Sequence, residues 1–357
     1  MKTKRQLWLI LLLITLIFAF TACKDAVTVG QTQELEEPYV PLAAVAPSPV
    51  LRLTMSTGSV SGNYYSFGAA LAKAVDEASV DLVIDVLESA DAVENIGDLA
   101  TGRSQLALIP GDILSHAFYA TDTRQDKLPI TNMAPLMTLY PEICQIVVSA
   151  SSGLESVADL KERRVAIGED GSSLRASAVK ILEANGLTTE DIEVFPLGFT
   201  EAAQAMREKT IDAFFITAGT PNKAMMDLQA DRDIVLLGLE EDTIAALTKK
   251  YPFYTRYTMD ETDYSFLAEP VNTVAVKVTL VAAASLSGQA AYDTVKTIIE
   301  NSDKIAVTHA KGMYIAAEDA VCGLPLPLHE GALRYFREIG ALPVPQPEDA
   351  EQEDTVE

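Results

Sequence analysis

The stretch Leu53–Glu77, "LTMSTGSVSGNYYSFGAALAKAVDE", changes its hydrophobic period midway. Leu53 and Met55 alternate with Thr54 and Ser56, the period of two expected of a half-buried strand. From Phe67 the apolar positions fall at helical spacing: Phe67, Ala70, Leu71, Ala74, Val75 and Ala78. Between the two runs lie Thr57, Gly58, Ser59, Ser61 and Gly62, then the pair Tyr64–Tyr65. The order is strand, small-residue loop, helix.

The same order recurs three times. Leu106–Ile109 reads as a short buried strand that turns through Pro110, Gly111 and Asp112 into a helix starting near Ile113. Val165–Ile167 leads through Gly168–Ser173 into a helix lined by Leu174, Ala178, Ile181 and Leu182, with Gly186 as its C-terminal cap. Ile211–Thr217 leads through Ala218 and Gly219 into a helix for which Thr220 is the expected N-cap and Pro221 the first residue. Strands alternating with helices imply parallel sheets covered on both faces. In such sheets ligands bind beyond the carboxyl ends of the strands. Two of the loops precede residue 150 and two follow residue 160, which predicts two lobes with a cleft between them. The β-rich runs 138–151 and 270–284 are placed to cross between the lobes, and the helix around Ala291, Val295 and Ile298 to return the chain to the first.

Helix N-termini carry unpaired N–H groups and roughly half a positive charge. Gly and Ser let a ligand approach those groups closely. "TGSVSG" and "GEDGSS" therefore read as two halves of an anion-receiving site, with Arg175 as a charged donor and Tyr64 or Tyr65 closing over the ligand. Each feature also has a plainer role. Asp112 can cap its helix, Arg175 can form an ion pair, and Asn95 can bond loop backbone. No catalytic arrangement emerges: Val60 stands where a nucleophile elbow needs Ser, and the glycines at 58, 62 and 68 fit no nucleotide-binding spacing. His329 opens "HEGALRYFREIG", where backbone capping is the simplest role. The sequence calls for no metal and no cofactor.

The formal charge of −24 over 357 residues argues against nucleic acid and anionic surfaces as partners. Lys2, Lys4 and Arg5 precede the apolar run "LWLILLLITLIFAF", which ends at Phe20-Thr21-Ala22-Cys23. That is the pattern of a secretory signal ending in a lipobox, so Cys23 is expected to be lipidated and the mature protein held at the membrane from outside the cytoplasm. Residues 23–48 read as a flexible tether and 344–357 as a disordered acidic tail. In that compartment Cys144 and Cys322 can form a disulfide, or remain two unpaired core thiols.

With these residues in place, the chain resembles the TAXI family of solute receptors for tripartite ATP-independent periplasmic (TRAP) transporters. The resemblance rests on "TGSVSGNYYSFGAALAKAV", "ESADAVENIGDLATGRSQLALIPGD", the stretch from "LYPEICQIVV" through "GEDGSSLRASAVKILEANGL", "LGFTEAAQAMREKTIDAFFITAGTP" and "GLPLPLHEGALRYFREIG", in family order over about residues 50–342. It implies an α/β two-lobed periplasmic-binding-protein fold of type II-like form. Each lobe would be a mainly parallel sheet flanked by helices, lobe I from residues 49–140 and 281–343 and lobe II from 141–280. It implies a monomeric receptor, not an enzyme, that delivers glutamate, glutamine, 2-oxoglutarate or a similar small acid to a separate permease. The implied pocket draws on Thr57, Gly58, Ser59, Gly62, Tyr64, Tyr65, Asp112, Ser172, Ser173, Ala218 and Gly219. Two departures bear on the solute: Pro110-Gly111 precedes Asp112 where Gln is common, and "GEDGSSLR" replaces "GxxGSGTx". A signalling receptor of the same fold, a sulfonate or pyrimidine-like solute, and a hydrolase are the rival readings.

Overall fold

The computed structural model describes residues 50–343. The leader, Cys23, the tether and the acidic tail lie outside them. In chain order the strands are β1 (Leu51–Ser56), β2 (Leu82–Leu87), β3 (Leu106–Pro110), β4 (Met133–Ser149), β5 (Arg164–Ala166), β6 (Glu193–Phe195), β7 (Ala213–Ala218), β8 (Ile234–Leu237), β9 (Tyr254–Met259) and β10 (Val271–Ala283). The helices are α1 (Asn63–Ala78), α2 (Ala92–Thr101), α3 (Gly111–Tyr119), α4 (Ser173–Ala184), α5 (Phe199–Arg207), α6 (Lys223–Asp231), α7 (Glu241–Lys250), α8 (Gly288–Glu300), α9 (Ser302–Thr308) and α10 (Glu330–Glu338). No helix among the described residues is long and apolar enough to cross a membrane.

One mixed sheet, in the order β2-β1-β3-β10-β4-β7-β5-β6, runs through both lobes, with β8 added to β4 and β9 to β10. β1 pairs in parallel with β2 and β3, and β5 with β6 and β7. The long strands β4 and β10 pair antiparallel from Ile143↔Ala275 to Met133↔Ala283 and form the spine common to the two lobes. The register slips between Lys277 and Thr279, where the spine passes from one lobe to the other.

Alternation along the spine builds four cores, one on each face of the sheet in each lobe. On β10, Val278, Leu280 and Ala282 join α1 and α8 through Phe67, Leu71, Val295 and Ile298. Val281 and Ala283 face the opposite way, with Ile96, Ile109 and Leu114. Further along, Val274 and Val276 meet Cys144, Ile146, Val148 and Ile181, while Ala275 meets Ile143, Val147, Phe214 and Met225. Each fully buried aliphatic or aromatic side chain contributes roughly 1.5–3 kcal/mol.

The four strand–loop–helix units occur as β1–α1, β3–α3, β5–α4 and β7–α6. Two local expectations need correction. The fourth helix is capped by Asn222, whose side chain accepts from Ala224 N and Met225 N; Thr220 and Pro221 precede it, and Thr220 Oγ1 instead donates to the buried Asp263. Cys144 and Cys322 form neither a disulfide nor a pair of core thiols. Cys144 is buried in the second lobe with its Sγ 3.5 Å from Thr217 Oγ1, while Cys322 is exposed, its Sγ 3.3 Å from the Glu318 carbonyl. Gly186 does stand just past α4, in the left-handed region at φ +77°.

Candidate functional site

All four loops open on the inter-lobe face, but their side chains divide into those that build the loops and those that look inward. Thr57 belongs to the first group. Its Oγ1 donates to the Leu87 carbonyl and its methyl packs on Gly68 of α1. Asn95, fully buried, donates from Nδ2 to the Thr57 and Leu108 carbonyls and so ties the first two loops together. Ser59 is exposed, and its carbonyl accepts from Gly62 N in a tight turn. The buried Gly58 sits so close to Tyr64 that a Cβ would lie 3.0 Å from the tyrosine Cβ. Ser172 caps α4, accepting from Arg175 N and donating to the Glu169 carbonyl. The Arg175 guanidinium lies 2.9 Å from Asp170 in a partly exposed ion pair.

The inward group is smaller. α1 starts at Asn63, so Tyr64 sits in its first turn, and its hydroxyl donates to Glu142 Oε1 at 3.1 Å. Tyr65 is half-buried and makes no side-chain hydrogen bond among the described residues. Asp112 lies in the first turn of α3 rather than at the capping position, which Pro110 holds; its Oδ1 accepts from Ile113 N at 2.8 Å. The Ser173 hydroxyl, from the other lobe, bonds the Asp112 carboxylate. Ala218 ends β7, paired with Ile143. Gly219 follows, where a Cβ would stand 2.8 Å from Lys311 Nζ. That ammonium, from the 3-10 turn Ala310–Tyr314 of the first lobe, donates to the Thr220 carbonyl of the second at 3.0 Å. The fourth loop is itself held from below: Tyr257 and Thr220 both donate to Asp263, and Asn222 N donates to the hydroxyl of buried Tyr264.

Glu142, Tyr140 and Lys311 complete this wall and were not foreseen from sequence. Glu142 stands on β4 where the spine crosses between lobes, opposite Val276. A lone acid in the apolar run "TLYPEICQIVV" was the available signal. Tyr140 is buried against Phe67, ring centroids 4.9 Å apart, and edge-on to Tyr64 at 6.3 Å. Its hydroxyl has no hydrogen-bond partner. Lys311 Nζ lies over the rings of Tyr140 and Tyr314 at 5.7 and 5.5 Å.

Burial sets the electrostatics of the wall. It pushes the Asp112 carboxyl up to about 6, against the opposing pull of the Ile113 N–H and the Lys180 charge. Burial, then repulsion from Asp112, pushes Glu142 up to about 7. The Tyr64 and Tyr140 phenols rise for the same reasons, burial first and Glu142 second. The Lys311 ammonium is lowered by burial, with Glu142 and Asp263 opposing. The charge deployed at the start of α3 is therefore carboxylate, where bare peptide donors for an anion had been expected.

A second inter-lobe contact lies beside the first. Lys180 of α4, buried, reaches Asp122 Oδ1 at 2.7 Å, and Asp122 Oδ2 lies 3.1 Å from His116 Nε2 of α3. Ser172 and Arg175 line a groove of about 380 Å³ here with Asp122, Lys180 and Tyr251, away from Glu142. Among the described residues, no three His, Cys, Asp or Glu side chains are grouped to hold a metal ion.

A family model described as the NMT1-like family matches residues 55–340, a span that includes every residue of this wall. The chain belongs to the NMT1-like family. Its fold is shared with the periplasmic aliphatic sulphonate binding protein SsuA of Escherichia coli, at 18% identity and a TM-score of 0.50, over 86% of this chain and 91% of that one. A TctC solute binding protein from Polaromonas is similar at 15% identity and a TM-score of 0.50, over 83% of this chain and 99% of that one. At these identities the likeness is one of fold: a curled mixed sheet flanked by helices, in two lobes. In this NMT1-like chain the groups between the lobes have to be read from its own residues.

Proposed function

We propose that this chain is an extracytoplasmic receptor that captures a small organic acid or amino acid between its lobes and presents it to a membrane permease. One observation carries the reading: three polar contacts from different loops, Tyr64–Glu142, Ser173–Asp112 and Lys311–Thr220, meet across one cleft. Two of them join opposite lobes, so whatever binds there is touched from both sides. Hinge bending would take place where β4 and β10 pass between lobes, near residues 140–143 and 275–278. The neighbours' printed roles, sulphonate binding and solute binding, support a receptor rather than an enzyme. The resemblance to TAXI receptors supports a TRAP-type permease as partner, and the lipobox a tether at Cys23. A permease gene beside this one would favour transport over signalling.

Thermal denaturation against glutamate, glutamine, 2-oxoglutarate and related acids tests the reading. A solute at 100 times its Kd is expected to add about 2.7 kcal/mol. A panel without any stabilising member removes this solute class. Separately, Cys23→Ser is expected to release the protein from membranes; a variant that stays bound contradicts the tether.

A further inference from the structure

Building on the receptor reading, we infer that the solute carries a protonated amine, seated between the carboxylates of Asp112 and Glu142. The argument begins with a count of what the wall still offers. Tyr64 spends its proton on Glu142 Oε1, Ser173 bonds Asp112, and Lys311 Nζ donates to the Thr220 carbonyl. Glu142 Oε2 accepts no hydrogen bond among the described residues. With both acids ionised the wall holds two negative charges against the one of Lys311, and that one is already engaged. Two carboxylates facing one another in a site poor in water repel, and each is costly to desolvate without a partner. An ammonium between them supplies the missing positive charge and up to three N–H donors.

A second, independent observation also points to a ligand here. The Tyr140 hydroxyl belongs to a residue only 2% exposed, has no partner, and lies within reach of the Glu142 charge. Buried hydroxyls are nearly always paired. As a group that both donates and accepts, it can take an amine N–H or direct its own proton to the solute. Bare sulfonates, phosphonates and simple dicarboxylates offer acceptors to a wall that already has too many.

Titration calorimetry with matched pairs tests the inference: L-glutamate against glutarate, L-glutamine against 2-oxoglutarate, and 5-aminovalerate against valerate. At least one amine-bearing member is expected to bind tenfold or more tightly than its amine-free partner. Glu142→Gln and Asp112→Asn should each weaken that member about tenfold or more. Tyr140→Phe, which keeps the ring and its packing, should weaken it by a smaller factor and covers the case in which a carboxylate variant fails to fold. Amine-free members that bind as well as their partners, or amine binding indifferent to all three substitutions, overturn the inference while leaving the receptor reading intact. If neither member of any pair binds, the solute class proposed above fails, and the inference with it.

Discussion

Glu142 is one carboxylate in a strand otherwise given over to core, and its cost to the empty protein can be measured. Its folded pKa, about 7, and that of Asp112, about 6, lie above the ordinary carboxylate range near 4. A raised carboxyl stabilises the fold fully below that range and loses its contribution as pH climbs through 6 and 7. His116 runs the other way. Burial lowers it to about 4, so its contribution is present above about 6.5 and lost as pH falls. Comparison of wild type with Glu142→Gln cancels the histidine. The unliganded variant is expected to melt above wild type at pH 8, by about 2–4 °C for each kcal/mol relieved, with the gap closing toward pH 5. Equal melting at all pH values would mean that Glu142 is well solvated. An amine must find both acids ionised, so its binding should release protons and tighten between pH 6 and 8. The groups facing Glu142 in that titration are Tyr64, Tyr140, Asp112 and Lys311. Gly68 makes a different point. A Cβ there would stand 2.5 Å from Thr57 Cγ2, and the Thr57 hydroxyl is held by the Leu87 carbonyl, so the methyl cannot swing away. Gly68→Ala is expected to cost about 1–3 kcal/mol, read as a fall in melting temperature; no fall would show that α1 shifts freely.

At the scale of elements, the change of period between Met55 and Phe67 was enough to read β1, its loop and α1, and the same signal placed the other three units. It worked because each strand feeds a buried sheet and each helix buries one stripe. β2, β6, β8 and β9 were not read, since β6 has three residues and β8 four, too few for a period to emerge. The cap of α6 was misplaced for a chemical reason: Thr220 and Asn222 are both good caps, and the Thr220 hydroxyl goes to Asp263, 43 residues away. The wall was half legible. Tyr64, Asp112, Ser173 and Gly219 lie in loops that announce themselves, whereas Glu142 and Lys311 gain meaning only through contacts made far along the chain. α3 and α4 are joined by the chain of contacts His116–Asp122–Lys180, which also draws in Phe253, edge-on to His116, and Thr123 at its Nδ1. The Lys180 charge helps hold His116 down. Lys180→Met is therefore expected to raise the His116 pKa above about 4, followed by NMR titration of the imidazole; an unchanged value would separate the two elements electrostatically.

For the whole molecule, the spine of β4 and β10 decides what can move. Both strands contribute to cores in both lobes, so opening must be absorbed where their register slips, near Lys277, rather than by parting two independent domains. The surface contacts that span the lobes are few and polar, the kind that can exchange with water when the cleft opens. The central claim is that the two lobes close on a small solute at the Asp112–Glu142 wall. Spin labels at Ser61 and Asp170, exposed residues on the first and third loops, report that closure once Cys322 is replaced by Ser. Pulsed electron resonance should give a broad distance distribution for the empty protein and a narrower, shorter one with a solute that binds, and Glu142→Gln should abolish the change. A distribution that stays the same when a solute is bound would contradict the account.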